Sequence, residues 1–191
     1  EPVIADVLDP ASLASLPRTG RVLYAVGYDR RSGHSIRSVY VDGLRNFLPS
    51  LAARLVYVSS TGVYGGSEGG WVDEDSPADP TTESGRACLD AERLAAEFCG
   101  ERGLDLVVVR YSGLYGPGRV FRRADLEQGR PIPGDPEGVL NLIHIDDAAA
   151  AALAALDRGV PGRVYLATDD RPVRRREYYE LAASYLGTPP P

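Results

Sequence analysis

The chain has 191 residues, 43% of them hydrophobic and 25% charged, with a net charge of −6. That composition suits one globular domain with a sizeable core, or one domain and the start of a second lobe, and its negative charge repels a nucleic-acid backbone. All 21 basic residues are arginine, which excludes Schiff-base chemistry, a P-loop lysine and any tyrosine tuned by a lysine.

Val3 to Val7 reads as a strand already under way at the first residue, so the sequence is expected to begin inside a longer one. Ala11 to Leu16 reads as a short helix and Arg21 to Val26 as the next strand. From Ile36, apolar Tyr40, Leu44, Phe47, Leu48 and Leu51 recur at three- and four-residue steps, the period of an amphipathic helix. Leu55 to Ser59 is a strand, followed by the glycine-rich stretch Gly62 to Gly70 and an acidic, proline-containing loop over 72–80. A helix is expected from Glu83 to Phe98, with Cys88, Ala91, Leu94, Ala95 and Phe98 inward and Gly100 as its stop.

Leu104 to Arg110 is a nearly continuous apolar run, the kind buried on both faces of a parallel sheet. Gly113 to Gly118 reads as a turn-rich loop, Arg119 to Gln128 as a short helix and Pro131 to Gly138 as irregular. Leu140 to Ile145 is a brief strand, Asp146 the N-cap of an alanine-rich helix to Leu156, Arg163 to Ala167 a strand, and Val173 to Leu186 a helix ending at Gly187.

Strand–helix alternation of this kind defines an α/β fold with a doubly wound parallel sheet. In such sheets ligands lie beyond the carboxyl ends of the strands. That singles out Asp6 to Asp9, Gly27 to Arg30, Ser59 to Thr61 and Tyr111 to Gly116. Cys88 and Cys99 fall in one predicted helix, about 16 Å apart at helical rise and beyond disulfide reach. With no leader-like start and no apolar run of about 18 residues, a cytoplasmic protein with no membrane partner is expected.

Four segments carry a resemblance: Val56-Tyr57-Val58-Ser59-Ser60-Thr61-Gly62-Val63-Tyr64-Gly65, Thr82 to Arg93, Arg110-Tyr111-Ser112-Gly113-Leu114-Tyr115-Gly116-Pro117-Gly118-Arg119, and Asn141-Leu142-Ile143-His144-Ile145-Asp146-Asp147-Ala148. In order and spacing they resemble the extended short-chain dehydrogenase/reductase superfamily, the NAD-dependent epimerase/dehydratase group, over essentially the whole chain. The resemblance implies a Rossmann-like fold lacking its first βαβ unit, with residues 1–120 a partial NAD(P)-binding domain. Residues 121–191 would be a small substrate lobe interleaved with the last sheet elements. The GxxGxxG phosphate-binding turn of that first unit is not among these residues. The implied cofactor is NADP or NAD, contacted by Asp6, Val7, Ala25, Val26, Gly27, Ser59, Ser60, Tyr111 and Gly113. The implied substrate is a small carbonyl compound or a nucleotide sugar. A homodimer through the helices near 36–51 and 83–99 is implied as well.

The family's catalytic set is a Ser or Thr, a Tyr, and a Lys one helical turn after the Tyr. The lysine's charge favours tyrosinate as the general acid/base. Here the first position resembles Ser60, whereas the Tyr position holds Ser84 and the Lys position Cys88. Thr61 and Gly62 stand where dehydratases of the family carry an acidic pair, so dehydratase chemistry is not expected. Ser84-Gly85-Arg86 resembles the replacement motif of the superfamily's atypical branch.

The competing readings are structural. Asp6 could begin a turn, Ser59 to Thr61 could end a strand by local hydrogen bonds, and Arg86 could be a solvated helix arginine. His144 is expected to pack beside its helix cap, and His34 lies in a polar loop without a recognisable partner. Two separated histidines and two separated cysteines do not compose a zinc site. Tyr28, Tyr64, Tyr111 and Tyr115 lie near strand ends, where a tyrosine could supply an acid or simply pack. Arg174-Arg175-Arg176 reads as a solvated helix start. Gly65-Gly66-Ser67-Glu68-Gly69 matches the G-x-S-x-G elbow of α/β-hydrolases, but its strand and helix context is missing. The main alternative to an oxidoreductase is a non-catalytic nucleotide-binding or scaffold protein that keeps the fold without the Tyr-Lys pair.

Overall fold

The computed structural model describes residues 2–65 and 70–191. The chain divides into two compact units, 1–110 with 151–166, and 111–150 with 167–191. The chain leaves the first unit after Arg110 and returns to it for part of a helix and a strand.

The first unit begins without a strand. Val3 to Val7 belongs to no strand, with Ile4 98% exposed and Val7 already in a turn, because no described strand lies beside it to complete its hydrogen bonds. Asp6 instead sits in a turn, its Oδ1 accepting from the Leu8 amide at 2.9 Å. Asp9 then caps α1 (Pro10–Leu13) through the Ala11 amide, with proline at the first helical position.

The sheet comprises β1 (Arg21–Tyr24), β2 (Arg54–Ser60), β3 (Leu106–Tyr111) and β7 (Val164–Ala167), in the order β1-β2-β3-β7. β1 and β2 are parallel, with Arg21 opposite Arg54 and Tyr24 opposite Tyr57. Every residue of β3 is buried, as its unbroken apolar run requires of a central strand. The edge strand β7 is covered in part by the acidic loop, where Glu74 accepts from the Leu166 amide at 2.9 Å.

The amphipathic segment from Ile36 is a single helical run wound in three ways. Ser38–Asp42 is a π turn, Gly43–Phe47 (α2) is α-helical and Leu48–Ser50 is a 3-10 turn. Its Val41, Leu44 and Leu48 pack with Tyr57, Ala91 and Ala95 in the main core. The long helix α3 (Glu83–Arg102) starts at Thr82, whose Oγ1 accepts from the Gly85 amide at 3.0 Å. It runs through Gly100 and stops at Gly103, which takes the left-handed conformation at φ 63 and donates to the Cys99 and Gly100 carbonyls. Gly100 is thus not the stop, because Cys99, 1% exposed, needs the last turn wound to reach the core.

The second unit holds β4 (Gly113–Tyr115), α4 (Arg123–Glu127), β5 (Val139–Leu140), β6 (Leu142–His144), β8 (Val173–Arg174) and α6 (Arg175–Leu186). β4 and β6 are parallel, and β5 and β8 antiparallel. Leu126 packs against Tyr179, Ala182 and Ala183 to make its core. Helix α5 (Ile145–Arg158) links the units and begins one residue before the cap expected at Asp146. The His144 ring does the capping, with Nδ1 accepting from the Asp146 amide at 3.3 Å, while Asp146 and Asp147 complement the helix dipole from its first turn.

Candidate functional site

β2 is the strand that carries the hydroxyl cluster, and its alternation sends Ser59 and Ser60 to opposite faces. Ser60 is half-buried, and its Oγ accepts from the Gly62 amide at 3.1 Å, capping the 3-10 turn Thr61–Val63. Ser59 is 6% exposed and donates to Glu92 Oε1 at 2.5 Å. It faces the interior rather than lining a cleft.

Glu92 belongs to a buried network that sequence reasoning missed. Arg110 donates from Nε to Glu92 Oε1 at 3.0 Å and from Nη2 to Oε2 at 2.7 Å. Its Nη1 donates to the Tyr64 hydroxyl at 2.7 Å, and the guanidinium carbon lies 4.9 Å from that ring's centroid. The side chains of Arg110 and Glu92 are 7% and 8% exposed. Burial alone would lower the Arg110 pKa, but the hydrogen bonds and charge of Glu92, with Tyr64, outweigh it and hold the guanidinium charged. The signal in the sequence was a lone arginine ending an apolar strand and a lone glutamate on the inner face of α3, since a buried charge requires a partner.

Ser84 and Cys88 are the residues that the resemblance assigns to the family's Tyr and Lys positions. Ser84 is exposed in the first turn of α3. Cys88 is 4% exposed among Val63, Tyr64 and Leu89, a free thiol like Cys99. Burial, helped by the negative charge of Glu92, pushes the Cys88 thiol up to about 11, so it is neutral at pH 7 and supplies no positive charge. Among the described residues the buried cation of this region is Arg110, and Glu92 already neutralises it.

Gly85, between these positions, has a steric reason of its own. A Cβ there would lie 2.1 Å from the Gly62 carbonyl oxygen and 2.8 Å from Pro80 Cβ. Glycine lets the start of α3 press against the turn after Ser60. Arg86 donates to the Thr81 carbonyl at 3.0 Å and is otherwise an exposed helix arginine.

Elsewhere in the first unit, Ala25 and Gly27 are exposed and Val26 half-buried just beyond β1. No heavy atom lies within 4 Å of where a Gly27 Cβ would be. Val7 is half-buried, and its carbonyl accepts from Asn46 Nδ2 at 2.9 Å. Asp6 remains exposed in its turn. Ala25–Gly27 follows the carboxyl end of β1 as the Ser60 turn follows that of β2. Tyr28 donates to the His34 carbonyl at 3.0 Å, and His34 is exposed.

In the second unit, Tyr111 is buried and donates to the Ala148 carbonyl, and Gly113 opens β4 opposite Leu142. Tyr115 pairs across strands with His144, their ring centroids 5.3 Å apart, and donates to Asp169 Oδ2 at 3.1 Å. Desolvation and then the Asp169 carboxylate raise its pKa, keeping it a phenol. Arg174 and Arg176 pair with Glu137, so that run is not a free cationic patch. No group of three metal-ligating side chains gathers among the described residues. The hydrolase-like motif lies outside the described residues at Gly66 to Gly69, and the strand ahead of it ends at Ser60. No described helix is long and apolar enough to cross a membrane.

This parallel sheet, with a hydroxyl-bearing turn at the end of β2, is a Rossmann-type α/β sheet. The sequence model of the NAD dependent epimerase/dehydratase family matches residues 39–167, and the chain belongs to that family. It is 32% identical over 166 residues to Protein YeeZ of Escherichia coli (strain K12), a match covering 85% of this chain and 58% of YeeZ. Among solved structures it is similar to DesIV, a dTDP-glucose 4,6-dehydratase from Streptomyces venezuelae with NAD and DAU bound, at TM-score 0.84 and 23% identity, over 97% of this chain and 63% of that one. RMD from Pseudomonas aeruginosa, complexed with NADPH, matches at TM-score 0.81 and 23% identity, over 98% of this chain and 74% of that one. The chain thus spans less than two thirds of the length of YeeZ and of DesIV.

Proposed function

We propose that the protein is an NAD(P)-binding, reductase-like or epimerase-like member of its family, acting on a small carbonyl or nucleotide-sugar substrate. The observation that carries this is the Ser60 turn, held at the carboxyl end of β2 where a parallel sheet presents ligands. NADP or NAD would lie along Asp6, Val7 and Ala25–Gly27, with Ser60 toward the nicotinamide. Tyr111 and Gly113 are proposed as cofactor contacts on the family resemblance alone. The cofactor supplies hydride chemistry when bound, and the chain's own residues bind and orient it. Two solved neighbours hold NAD and NADPH, which supports the choice of cofactor class. Assembly through the helical faces of 36–51 and 83–99 into a homodimer belongs to the same reading, and sedimentation of the full-length protein checks it.

The test is fluorescence titration of the full-length protein with NADPH and then NADH. Saturable binding that is weakened when Asp6 is changed to alanine is the expected result. No binding at millimolar cofactor would remove the oxidoreductase reading.

One observation favours a second reading, a nucleotide-binding protein without catalysis: Cys88 is a buried neutral thiol where the family's mechanism needs a cation. Cofactor binding without turnover of any aldehyde, ketone or nucleotide sugar would distinguish it. The double change Ser84→Tyr with Cys88→Lys would then be informative. Gained activity indicates a decayed enzyme, and loss of an existing activity indicates a different mechanism.

A further inference from the structure

We infer that the Ser59–Glu92–Arg110–Tyr64 network is a positioning device for the nicotinamide end of the cofactor site, an inference that rests on the NAD(P) reading above. The turn Thr61–Val63 is pinned on both sides by one ion pair. Ser59, just before it, donates to Glu92 Oε1 at 2.5 Å, and Tyr64, just after it, accepts from Arg110 Nη1 at 2.7 Å. Ser60 lies between the two pins, and its Oγ holds the Gly62 amide at 3.1 Å. On the other side the turn meets Gly85, whose Cβ-less backbone allows the close approach to the Gly62 carbonyl. The network also joins three elements, because Ser59 is on β2, Glu92 on α3 and Arg110 on β3.

Stability alone is a poor account of this arrangement. A buried ion pair gains little over well-packed apolar side chains of the same volume. What it adds is geometry, since a guanidinium fork on a carboxylate accepts one arrangement and hydrogen-bonds further groups in fixed directions. One further hydrogen bond from each partner goes to the two residues that bracket the Ser60 turn. Neither Glu92 nor Arg110 need touch the cofactor. They are positioning residues that set where the Ser60 hydroxyl and the Thr61–Val63 backbone stand.

The experiment compares two ligands on the full-length protein and its variants: NADPH, and 2′-phospho-ADP-ribose, which lacks the nicotinamide. Ser59→Ala and Tyr64→Phe each delete one pin and keep the ion pair. Each is expected to weaken NADPH about fivefold, the worth of one hydrogen bond, and to shift the emission of bound NADPH. Binding of 2′-phospho-ADP-ribose should stay within about twofold of wild type. Glu92→Gln should do more than either, and where it fails to fold the two milder variants carry the test. Equal weakening of both ligands, or a lower melting temperature with NADPH affinity and emission unchanged, would overturn the inference and leave the network merely structural. A wild-type protein that binds neither of these, nor NADH and ADP-ribose in their place, would instead overturn the NAD(P) reading itself, and the inference with it.

Discussion

At Cys88 a single side chain shows how burial alone removes a chemical option. The thiol, pushed up to about 11, stays protonated in the fold while the unfolded chain ionises near the ordinary thiol value. A raised folded value means that the contribution is whole below the unfolded value, near 9, and is lost as pH climbs toward 11. Tyr24 and Tyr57, both raised mainly by desolvation, act in the same direction at still higher pH. Melting temperature should therefore decline from about pH 9 upward, and Cys88→Ala should flatten that decline by up to roughly 2 kcal/mol. A Cys88→Ala protein with the wild-type alkaline slope would refute the assignment. Gly85 makes the opposite kind of prediction. Alanine in an exposed helix interior stabilises by about 1 kcal/mol over glycine. At Gly85 the added Cβ would lie 2.1 Å from the Gly62 oxygen, so Gly85→Ala should instead destabilise by at least about 2 kcal/mol in urea unfolding.

Among the elements, α3 concentrates what the site depends on. Its first turn touches the turn after Ser60, its middle carries Cys88 and Glu92, and its end closes on Gly103. Changing Glu92 to glutamine leaves Arg110 buried and uncompensated, and a broken buried pair typically costs about 3–5 kcal/mol. Replacing Ser59 by alanine removes one hydrogen bond to the same carboxylate, for which about 1 kcal/mol is expected. Chemical denaturation should rank the two in that order, and equal losses would mean that the ion pair does not organise this face of the helix. At the far end, Gly103→Ala forces a Cβ into the left-handed region and should cost about 1 kcal/mol. Gly100→Ala, inside the helix with open space at its Cβ position, should be neutral or stabilising. That contrast checks where α3 stops.

For the molecule as a whole, family membership and the parallel sheet define a Rossmann-type α/β protein. NADPH binding by the full-length protein should raise its melting temperature as cofactor concentration rises, by mass action on the folded state. If the second reading holds, that shift appears with no substrate turned over.

Most of this was legible in the residues because it is local. The apolar run over Leu104 to Arg110 has the length and β-branched content of a buried strand, and the three- and four-residue spacing from Tyr40 to Leu51 has the period of a helix. The missing Tyr-Lys pair was equally plain, since a chain with no lysine cannot supply one. Tertiary structure decided the rest. Val3 to Val7 has the composition of a strand but no described neighbour to pair with, and a strand exists only by pairing. Asp146 has the chemistry of a cap, yet the His144 ring occupies that place. Ser59 and Ser60 are indistinguishable in sequence, and only the side of the sheet on which Glu92 and Arg110 meet gives one to the interior and leaves the other at the turn. A buried charge fixes its partner by three-dimensional proximity, and the separation of 18 positions from Glu92 to Arg110 carries no periodic signal of that contact.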